Sequence, residues 1–229
     1  MDEVSRIKEA YRKRDASDKR RLYTLFNAAS LFTYHQREKA IIDVLKENAL
    51  TDLSDKRILD VGCGNGSVLR DFLKYGAVPE NCYGIDLLPD RIKTAKRLSP
   101  HMNFLCGNAE KLPYEDDFFD IVLCFTIFTS IFDTKMKHNI ASEMLRVLNA
   151  NGIILWYDYH INNPKNPDVR GVKKNEIYEL FPNCIIELKR ITLVQPLARL
   201  VAPWSLLLCY ILEKIPLLKT HYLGVIKKS

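Results

Sequence analysis

The sequence lacks the features that mark an exported protein. Its first residues are charged and contain no apolar stretch of the kind that opens a signal peptide, so export is not expected. Its six cysteines show no CxxC spacing, and several lie inside apolar runs that predict buried strands. We expect reduced, packed thiols in a protein of the cytoplasm.

A strong excess of one charge sign is also lacking. Lys and Arg together number 34 and Asp and Glu 28, which gives a formal net charge of +6 spread along the chain. A nucleic-acid-binding surface would need a denser basic patch, so no nucleic-acid partner is expected. No set of His, Cys and Asp residues has metal-ligand spacing, and no metal site is expected either.

The longest apolar run is interrupted. Arg199 is the only charged residue in 191–212, a stretch long enough in principle to cross a bilayer. Gln195, Pro196 and Pro203 also break it, which disfavours a transmembrane helix. We expect helical turns packed between the last two strands. The alternative is a segment that dips into a membrane surface and gives the protein a peripheral membrane contact.

From Arg57 onward, short apolar runs rich in β-branched residues alternate with helical patterns. This alternation is typical of βαβ units and predicts an α/β fold, with a parallel sheet covered by helices on both faces. The length of 229 residues fits one compact domain. Strands are predicted over 57–61, 82–86, 103–106, 121–125, 153–159, 183–194 and 221–227.

Helices are predicted over 67–75, 90–98 and 135–148, with Asn151 and Gly152 as the turn that closes the last of them. Residues 22–50 repeat apolar side chains at the spacing of one or two amphipathic helices. Residues 1–21 are dense in charges of both signs, which predicts a solvated helix or a frayed arm.

A glycine-rich segment, ILDVGCGNG, follows the start of the first predicted strand. The strand would end at Asp60, and Gly62, Gly64 and Gly66 come before a helix. Glycines let a backbone approach a ligand closely, and a helix N-terminus behind them favours polar and anionic groups. The GxGxG spacing differs from the GxGxxG of dinucleotide-binding folds, which disfavours a dehydrogenase.

Two more polar positions are predicted at the same edge of the sheet. Asp86 ends the second strand, 20 residues after Gly66, where a carboxylate can accept hydrogen bonds from ribose hydroxyls. Asn108 and Ala109 follow the third strand, where the edge of an adenine ring could be read. All lie at carboxyl ends of adjacent strands, which is where open α/β sheets bind ligands.

In combination these segments resemble the class I S-adenosylmethionine-dependent methyltransferases. The resemblance rests on LDVGCGNG, GID, GNAEKLPYEDDFFD and EMLRVLNANG, in that order between Arg57 and Tyr159. It implies a Rossmann-like, doubly wound, mostly parallel seven-stranded sheet with an antiparallel last strand, and S-adenosyl-L-methionine as cofactor. Residues 51–229 would form the cofactor-binding methyltransferase domain, and residues 1–50 an N-terminal helical lid.

The resemblance also assigns cofactor contacts. The glycine-rich segment would hold the methionine and ribose parts, Asp86 the ribose, and the loop after the third strand the adenine. Asn108 stands where many members of the family carry Asp, and its carbonyl oxygen can still face the adenine amino group. The cofactor-binding residues predicted in this way are Asp60, Gly62, Cys63, Gly64, Asn65, Gly66, Asp86, Leu87, Asn108, Ala109, Glu110, Cys124 and Phe125.

The acceptor site is expected at the ends of the fourth and fifth strands, beneath the lid. Asp158 and His160 are candidate catalytic residues, because an imidazole could deprotonate a hydroxyl that a carboxylate orients. Each could instead be an ordinary turn or surface residue. Candidate substrate contacts are Tyr23, Tyr34, His35 and Arg170.

The segments NPKNPDVRG and KTHYLGVIKK resemble small bacterial methyltransferases that accompany glycan assembly. This implies a small-molecule or glycan acceptor, with a hydroxyl of a sugar or glycan precursor as the methylated group. The alternatives are a quinone- or polyketide-type methyltransferase and a module that binds the cofactor without catalysis. The sequence does not indicate an oligomeric state.

Overall fold

The computed structural model describes residues 2–15, 24–163 and 166–229. Its centre is a seven-stranded sheet. The strands are β1 (Ile58–Val61), β2 (Cys82–Asp86), β3 (Asn103–Cys106), β4 (Phe119–Phe125), β5 (Leu148–Tyr159), β6 (Cys184–Leu193) and β7 (Lys219–Lys228). They lie in the order β3-β2-β1-β4-β5-β7-β6, and β7 runs antiparallel to both of its neighbours. The predicted Rossmann-like sheet with an antiparallel last strand is confirmed.

Helices cover both faces of this sheet and follow the strands as predicted. They are α1 (Glu3–Asp15), α2 (Ala28–Glu47), α3 (Ser67–Lys74), α4 (Pro89–Leu98), α5 (Thr134–Val147), α6 (Lys174–Leu180), α7 (Gln195–Val201) and α8 (Leu206–Glu213). The apolar pattern of 22–50 therefore produces one long helix, which begins after the N-cap Asn27.

Alternating side chains of the strands build a core on each face. Val61, Cys124 and Trp156 belong to the core beneath α5 and α6. Ile58 and Leu123 belong to the core beneath α2, α3 and α4. Because both faces are covered, the central strands are apolar along most of their length. Most of their acidic residues stand near the carboxyl edge of the sheet, and this edge positions the candidate site.

The first helix is packed against the domain. Ile7 of α1 is buried in the core beneath α5, and the Glu3 carboxylate accepts a hydrogen bond from the backbone N–H of Phe132. The Tyr11 hydroxyl lies 3.0 Å from Oγ of Ser130. The prediction of a solvated helix or frayed arm is therefore wrong for residues 3–15, because one apolar side chain per turn was hidden among many charges.

The predicted turn at Gly152 is a strand. Helix α5 ends at Val147 and the chain runs directly into β5, whose register with β4 shifts by a bulge at this point. A Cβ on Gly152 would lie 2.8 Å from the carbonyl oxygen of Asp120. Glycine is required here because two backbones approach closely, and the turn assignment was wrong for that reason.

Residues 191–212 follow the expectation in part. Helices α7 and α8 lie between β6 and β7 as predicted. Their small side chains Ala198, Ala202 and Cys209 are buried in a minor core with Ala29 and Phe32 of α2. Most of their large apolar side chains are exposed, so the expected packing between the last two strands covers only one side of these helices. Within the described ranges, none of the helices combines the length and apolarity that a membrane crossing requires.

Candidate cofactor and acceptor site

The glycine-rich loop between β1 and α3 adopts left-handed backbone conformations. Gly62, Gly64 and Gly66 have φ angles of +71°, +55° and +77°. The N–H of Gly62 donates to the carbonyl oxygen of Ile85 at 2.8 Å, which ties the loop to β2. A Cβ at Gly66 would lie 2.7 Å from the ring of Phe104. The loop therefore presents bare backbone at the carboxyl edge, as a turn that wraps a ligand requires.

Helix α3 begins directly behind this loop. Its N-cap is Gly66, which offers no side-chain acceptor to the first N–H groups of the helix. Such N–H groups attract polar and anionic ligand atoms. Asn65 is exposed beside them, and its carbonyl oxygen accepts a hydrogen bond from the Arg70 guanidinium at 2.8 Å.

Asp86, at the end of β2, holds the loop in place. Its Oδ2 accepts a hydrogen bond from the N–H of Gly64 at 2.9 Å, and its Oδ1 accepts one from the N–H of Leu88 at 2.8 Å. Each carboxylate oxygen has a second lone pair, so Asp86 can also receive hydroxyl groups of a ligand. Leu87 beside it is partly buried against the core beneath α5.

Asp60, at the end of β1, is a buried carboxylate with an unsatisfied oxygen. Its exposed fraction is 1%, and within the described part of the chain its Oδ2 has no hydrogen-bond partner. Burial raises the pKa of this carboxyl well above its usual range, the charge of Asp86 raises it further, and the Arg37 guanidinium opposes both. An unpartnered buried carboxylate is unfavourable, and a cationic ligand group would satisfy it.

The loop after β3 is fixed by hydrogen bonds among its predicted contact residues. The Asn108 amide donates to Oε2 of Glu110 at 2.8 Å, and its Oδ1 accepts from the N–H of Glu110 at 3.1 Å. Asn139 of α5 donates to the other Glu110 oxygen at 2.8 Å. The side chain of Ala109 is buried in the core. The backbone of this loop is therefore the part best placed to read a base.

Two predicted contacts turn their side chains into the core. Cys124 is fully buried, and Cys63 lies beneath Gly84, whose added Cβ would be 2.8 Å from the thiol sulfur. Burial raises the pKa of both thiols. Phe125 lies on the opposite face from Cys124, with its ring centroid 5.5 Å from that of Tyr157. For the two cysteines, only backbone groups remain for a cofactor.

Asp158 is fully buried and has its hydrogen-bonding capacity engaged. Its Oδ1 accepts from the Thr129 hydroxyl and the Tyr159 N–H, both at 2.8 Å, and its Oδ2 accepts from the Thr129 N–H at 3.1 Å. Burial raises the pKa of the carboxyl to about 6, against the effect of these donors. Asp158 holds the loop after β4 through these bonds, which favours a structural role, and its catalytic role stays a prediction.

His160 links β5 to β7. Its Nε2 lies 2.9 Å from the carbonyl oxygen of Lys219, so this nitrogen carries the proton and donates it. Its backbone N–H donates to the carbonyl oxygen of Thr220 at 3.0 Å, and its ring packs on Tyr222. Burial lowers the pKa of the ring. These contacts favour a structural role over the predicted catalytic one.

The predicted substrate contacts on α2 point elsewhere. The Tyr34 hydroxyl donates to Oδ1 of Asp71 at 2.8 Å and accepts a hydrogen bond from Lys74. It therefore ties α2 to α3, and its contact with a substrate stays a prediction. The next residue, His35, is exposed.

The other two predicted substrate contacts lie further along the chain or outside the described residues. Tyr23 falls within 16–23, which the described ranges do not include. Arg170 has an exposed side chain, and its backbone N–H donates to the carbonyl oxygen of Thr129 at 2.8 Å. Arg170 thus borders the loop after β4, where an acceptor could reach it.

A polar group that sequence reasoning missed lies beneath α2. It consists of Arg37, Tyr157 and His221 together with Asp60, and we call it the Arg37 cluster. The Arg37 guanidinium carbon is 5.8 Å from the ring centroid of Tyr157, on which the His221 ring stacks at 4.5 Å. Burial is the main cause of the pKa shifts, upward for Asp60 and Tyr157 and downward to about 3 for His221. The positive charge of Arg37 lowers all three pKa values.

His221 is neutral and its tautomer is defined. The Thr220 hydroxyl donates to the carbonyl oxygen of Thr192 at 3.2 Å, so its oxygen accepts from Nδ1–H of His221 at 2.8 Å. This leaves the lone pair on Nε2. The predicted topology could have pointed to this residue. An antiparallel last strand begins at the carboxyl edge of the sheet, so its first residues lie next to the site.

Helix α1 crosses the same edge. Its Tyr11 contacts Ser130 in the loop after β4, and the Arg91 guanidinium at the start of α4 lies 4.5 Å from the Tyr11 ring centroid. The loop after β4 also touches the glycine-rich loop, since a Cβ on Gly62 would lie 2.9 Å from Cδ1 of Ile127. Helix α1 therefore runs between the two segments that flank the glycine-rich loop.

Comparisons with known proteins agree with this geometry. Residues 59–156 match the family described as methyltransferase domain. A phthiotriol/phenolphthiotriol dimycocerosates methyltransferase of Mycobacterium ulcerans (strain Agy99) is 33% identical over 120 residues, which are 49% of this chain and 41% of that protein. Norajmaline N-methyltransferase of Rauvolfia serpentina is 31% identical over 142 residues, 57% of this chain and 47% of that protein. The matches thus span less than half the length of these curated relatives.

A solved structure shows the same fold over most of the chain. A SAM dependent methyltransferase from Archaeoglobus fulgidus aligns with a TM-score of 0.59 at 16% identity, covering 87% of this chain and 98% of that chain. The matched domain over 59–156 and the shared fold support a class I S-adenosylmethionine-dependent methyltransferase. The cofactor of this family is S-adenosylmethionine, and the glycine-rich loop and Asp86 both lie inside the matched residues.

The residues at this methyltransferase edge fit that cofactor. S-adenosylmethionine carries an ammonium, a sulfonium, two ribose hydroxyls and an adenine. The unpartnered Oδ2 of Asp60 suits a cationic group, and the remaining lone pairs of Asp86 suit hydroxyls. The left-handed loop from Gly62 to Gly66 leaves its backbone open for close approach.

Asp86→Ala is expected to weaken S-adenosylmethionine binding by about 1 to 3 kcal/mol. The variant loses both the acceptor for ribose hydroxyls and the bond that fixes the Gly64 N–H. Calorimetric titration measures the change, and Asp90→Asn, an exposed position in the first turn of α4, serves as a control with unchanged affinity. Unchanged affinity in Asp86→Ala would remove the ribose assignment.

Proposed function

We propose that the chain transfers the methyl group of S-adenosylmethionine to a hydroxyl of a small-molecule acceptor. The observation that carries this proposal is the neutral His221 in the Arg37 cluster, which also contains Asp60 at the end of β1. The cofactor supplies a methyl group on a positively charged sulfur, so the protein's main task is alignment. A hydroxyl oxygen becomes acidic as it is methylated and then requires a proton acceptor.

His221 is suited to accept that proton. Its Nδ1–H is held by Thr220 at 2.8 Å, and its Nε2 carries the lone pair. The pKa of about 3 keeps the ring neutral at physiological pH. A protonated ether is a far stronger acid than an imidazolium of this pKa, so proton transfer is favourable once the O–CH3 bond has formed. Tyr157 fixes the ring plane by stacking, and its own hydroxyl is held 2.9 Å from Oγ1 of Thr192.

The hydroxyl is proposed to belong to a sugar or glycan precursor, carried on a lipid. The resemblance of NPKNPDVRG and KTHYLGVIKK to methyltransferases of glycan assembly supports the sugar. The name of the curated relative from Mycobacterium ulcerans, which specifies a triol, supports a hydroxyl on a larger apolar molecule. The norajmaline N-methyltransferase, by its name, uses a nitrogen acceptor, so the element that is methylated has to be tested directly.

The N-terminal helices are proposed to act as the lid of this site. Helix α1 crosses between the loop after β4 and the start of α4, and α2 places Arg37 over Tyr157. Movement of α1 would open the glycine-rich loop to the cofactor, and its return would exclude water from the methyl group.

Transfer of labelled methyl groups to extracted acceptors tests the proposed function. The purified chain is incubated with methyl-labelled S-adenosylmethionine and with three acceptor pools, namely lipid-linked sugars, nucleotide-linked sugars and quinones. We expect label in an ether of the lipid-linked pool, identified by mass spectrometry after hydrolysis. Label on nitrogen or carbon would contradict the hydroxyl assignment, and label on a quinone would contradict the sugar. Cofactor binding without transfer to any pool would indicate a non-catalytic module.

A further inference from the structure

In the segment between β6 and β7, small side chains are buried and large apolar side chains are exposed. Helices α7 and α8 bury small residues, Ala198, Ala202 and Cys209, in the minor core against α2. They turn most of their large apolar residues outward, while Leu197, Val201 and Leu212 pack partly against this minor core. A helix on a protein surface that meets water normally does the opposite, with large apolar residues inside and polar residues outside.

The outward side chains are exposed apolar residues that recur along α7, α8 and the segment that follows them. We call this set the α7–α8 face, and its most exposed members are Leu200, Trp204, Leu207, Ile211 and Leu217. The exposed fractions of Trp204, Leu207 and Leu217 are 89%, 71% and 88%. Monomeric proteins in water seldom keep a large apolar patch uncovered.

The N-terminal end of α2 extends this surface. Phe26, just before the helix, is fully exposed, and Leu25 beside it is exposed as well. The same end of α2 packs on α7 and α8, since Ala29 lies in the shared minor core and the rings of Phe32 and Tyr210 are 5.2 Å apart. Three separate pieces of chain thus bring unpartnered apolar side chains to one region of the molecule.

The exposed charged side chains of this region are all positive. Residues 194–218 contain three charged side chains, Arg199, Glu213 and Lys214. Lys214 is exposed and Arg199 partly so. The Glu213 carboxylate is turned inward, where it accepts a hydrogen bond from the backbone N–H of Thr192 at 3.3 Å. The face is therefore apolar with cations and no exposed carboxylate.

We propose that the α7–α8 face docks on the surface of a membrane that contains anionic lipids. Apolar side chains would enter the boundary between headgroups and acyl chains, and Lys214 and Arg199 would meet the negative headgroups. The indole of Trp204 and the phenol of Tyr210 suit this boundary, because each has an apolar body and a polar group. Helix α8 has eight residues, about 12 Å, so it lies along the surface and does not cross it.

A second copy of the chain fits this face less well. A two-fold interface would place the same patch on itself, and the cations of the two copies would approach each other without an exposed carboxylate between them. Anionic headgroups supply the opposite charge that a second copy lacks. This charge complementarity selects the membrane surface as the occupant.

The docked face adjoins the acceptor side of the methyltransferase site. The Gln195 amide of α7 donates to the Thr33 hydroxyl of α2 at 2.9 Å. Glu213 of α8 holds the backbone of Thr192, whose hydroxyl lies 2.9 Å from that of Tyr157 in the Arg37 cluster. If the proposed function holds, a docked molecule would have its acceptor site next to the lipid surface from which a lipid-linked acceptor comes.

Vesicle binding tests the docking proposal without cofactor or acceptor, so its result does not depend on methyl transfer. Flotation uses vesicles of phosphatidylcholine, alone or mixed with phosphatidylglycerol. Leu207→Ser/Leu217→Ser removes two outward side chains of the face, and Leu98→Ser/Leu105→Ser makes the same change on α4 and β3, at the far side of the sheet. Circular dichroism confirms that each variant is folded.

Trp204 provides a direct reporter. The chain has two tryptophans, and Trp156 is fully buried in the core beneath α5, so a change of emission on vesicle addition reports on Trp204. We expect a shift to shorter wavelength, quenching by brominated lipids, and binding favoured by phosphatidylglycerol. The Leu207→Ser/Leu217→Ser variant should bind at least about tenfold more weakly, and the control variant as tightly as wild type.

Three results would overturn the proposal. The first is a wild-type protein that binds neither kind of vesicle. The second is equal binding by wild type and Leu207→Ser/Leu217→Ser. The third is a concentration-dependent dimer in sedimentation that this variant abolishes while vesicles are ignored, which would assign the face to a second copy of the chain.

Discussion

Asp60→Asn is expected to weaken S-adenosylmethionine binding by about 2 to 3 kcal/mol while the unliganded protein stays as stable as wild type or becomes more stable. The two effects have one cause. Among the described residues Oδ2 of this buried carboxyl lacks a hydrogen-bond partner, and a cationic group of the ligand would supply one. Calorimetric titration and thermal unfolding measure the two quantities. Asp43→Asn, which breaks a surface pair with Lys39, is the matched control and should leave both nearly unchanged.

The same variant should remove a pH dependence of cofactor binding. Burial holds the pKa of Asp60 above its usual range in the free protein, and a bound cation would lower it. Binding therefore releases a proton, and wild-type affinity rises as the pH rises through the elevated pKa. Calorimetry in buffers with different ionisation enthalpies detects the release. An affinity that is equally pH-dependent in Asp60→Asn would show that Asp60 does not face the cofactor.

His221→Asn is expected to lower kcat for methyl transfer by about 100-fold or more and to leave S-adenosylmethionine affinity unchanged. The asparagine amide can still donate to the Thr220 hydroxyl in place of Nδ1–H, but the lone pair of Nε2 is lost. His160→Asn provides the comparison, because His160 is engaged with the carbonyl oxygen of Lys219 and is expected to affect stability more than rate. A rate unchanged in His221→Asn would contradict its assignment as proton acceptor.

His221 should also make the free energy of unfolding depend on pH, an effect that can be measured without an acceptor. Burial lowers its pKa from 6.5 to about 3, so below pH 6.5 the unfolded chain takes up a proton that the folded protein does not. The contribution of neutral His221 to the free energy of unfolding is therefore fully present above pH 6.5 and is lost as the pH falls towards 3. Between pH 7 and pH 5 the loss is about 2 kcal/mol.

Urea unfolding of wild type and His221→Asn at the two pH values isolates this contribution, since all other groups are common to both proteins. The variant should lack the loss of about 2 kcal/mol. His35→Asn, at an exposed position on α2, should keep the wild-type dependence. A variant that loses stability with falling pH as steeply as wild type would show that His221 is not buried in its neutral form.

The cofactor edge was predictable because its signals are local. The GxGxG spacing of Gly62, Gly64 and Gly66 permits left-handed backbone conformations, and the structure has them. Asp86 ends the short strand β2, and the carboxyl ends of parallel strands meet at one edge by topology alone. The assignments of these residues to parts of the cofactor remain predictions, which the Asp86 and Asp60 variants test.

Sequence patterns gave the wrong structure for elements whose conformation depends on residues far away in the sequence. Gly152 resembles a turn residue in sequence, but the backbone of Asp120 is what excludes a side chain there. The charges of α1 suggested a solvated arm, although Ile7 and Tyr11 hold it on the domain. In each case the deciding contact comes from a residue more than 30 positions away, which a local pattern does not contain.

On the acceptor side, the local sequence likewise does not show which single polar residues face the site. Asp158 and His160 were singled out because they follow a strand, but Thr129 and Lys219 engage them. His221 and Arg37 escaped notice because one lies in the last strand and the other inside an amphipathic helix. Which of two histidines faces a site depends on the side of the sheet and on the hydrogen bonds that fix each ring, and both are properties of the assembled sheet.

Calorimetric titration of the wild-type chain with S-adenosylmethionine and S-adenosylhomocysteine tests the central claim most directly. The account predicts that both bind with Kd values in the micromolar range, about 8 kcal/mol, with release of a proton from the Asp60 carboxyl. Binding of neither molecule by a folded protein would contradict it, because the glycine-rich loop and the unpartnered carboxylate would then have no cofactor to hold.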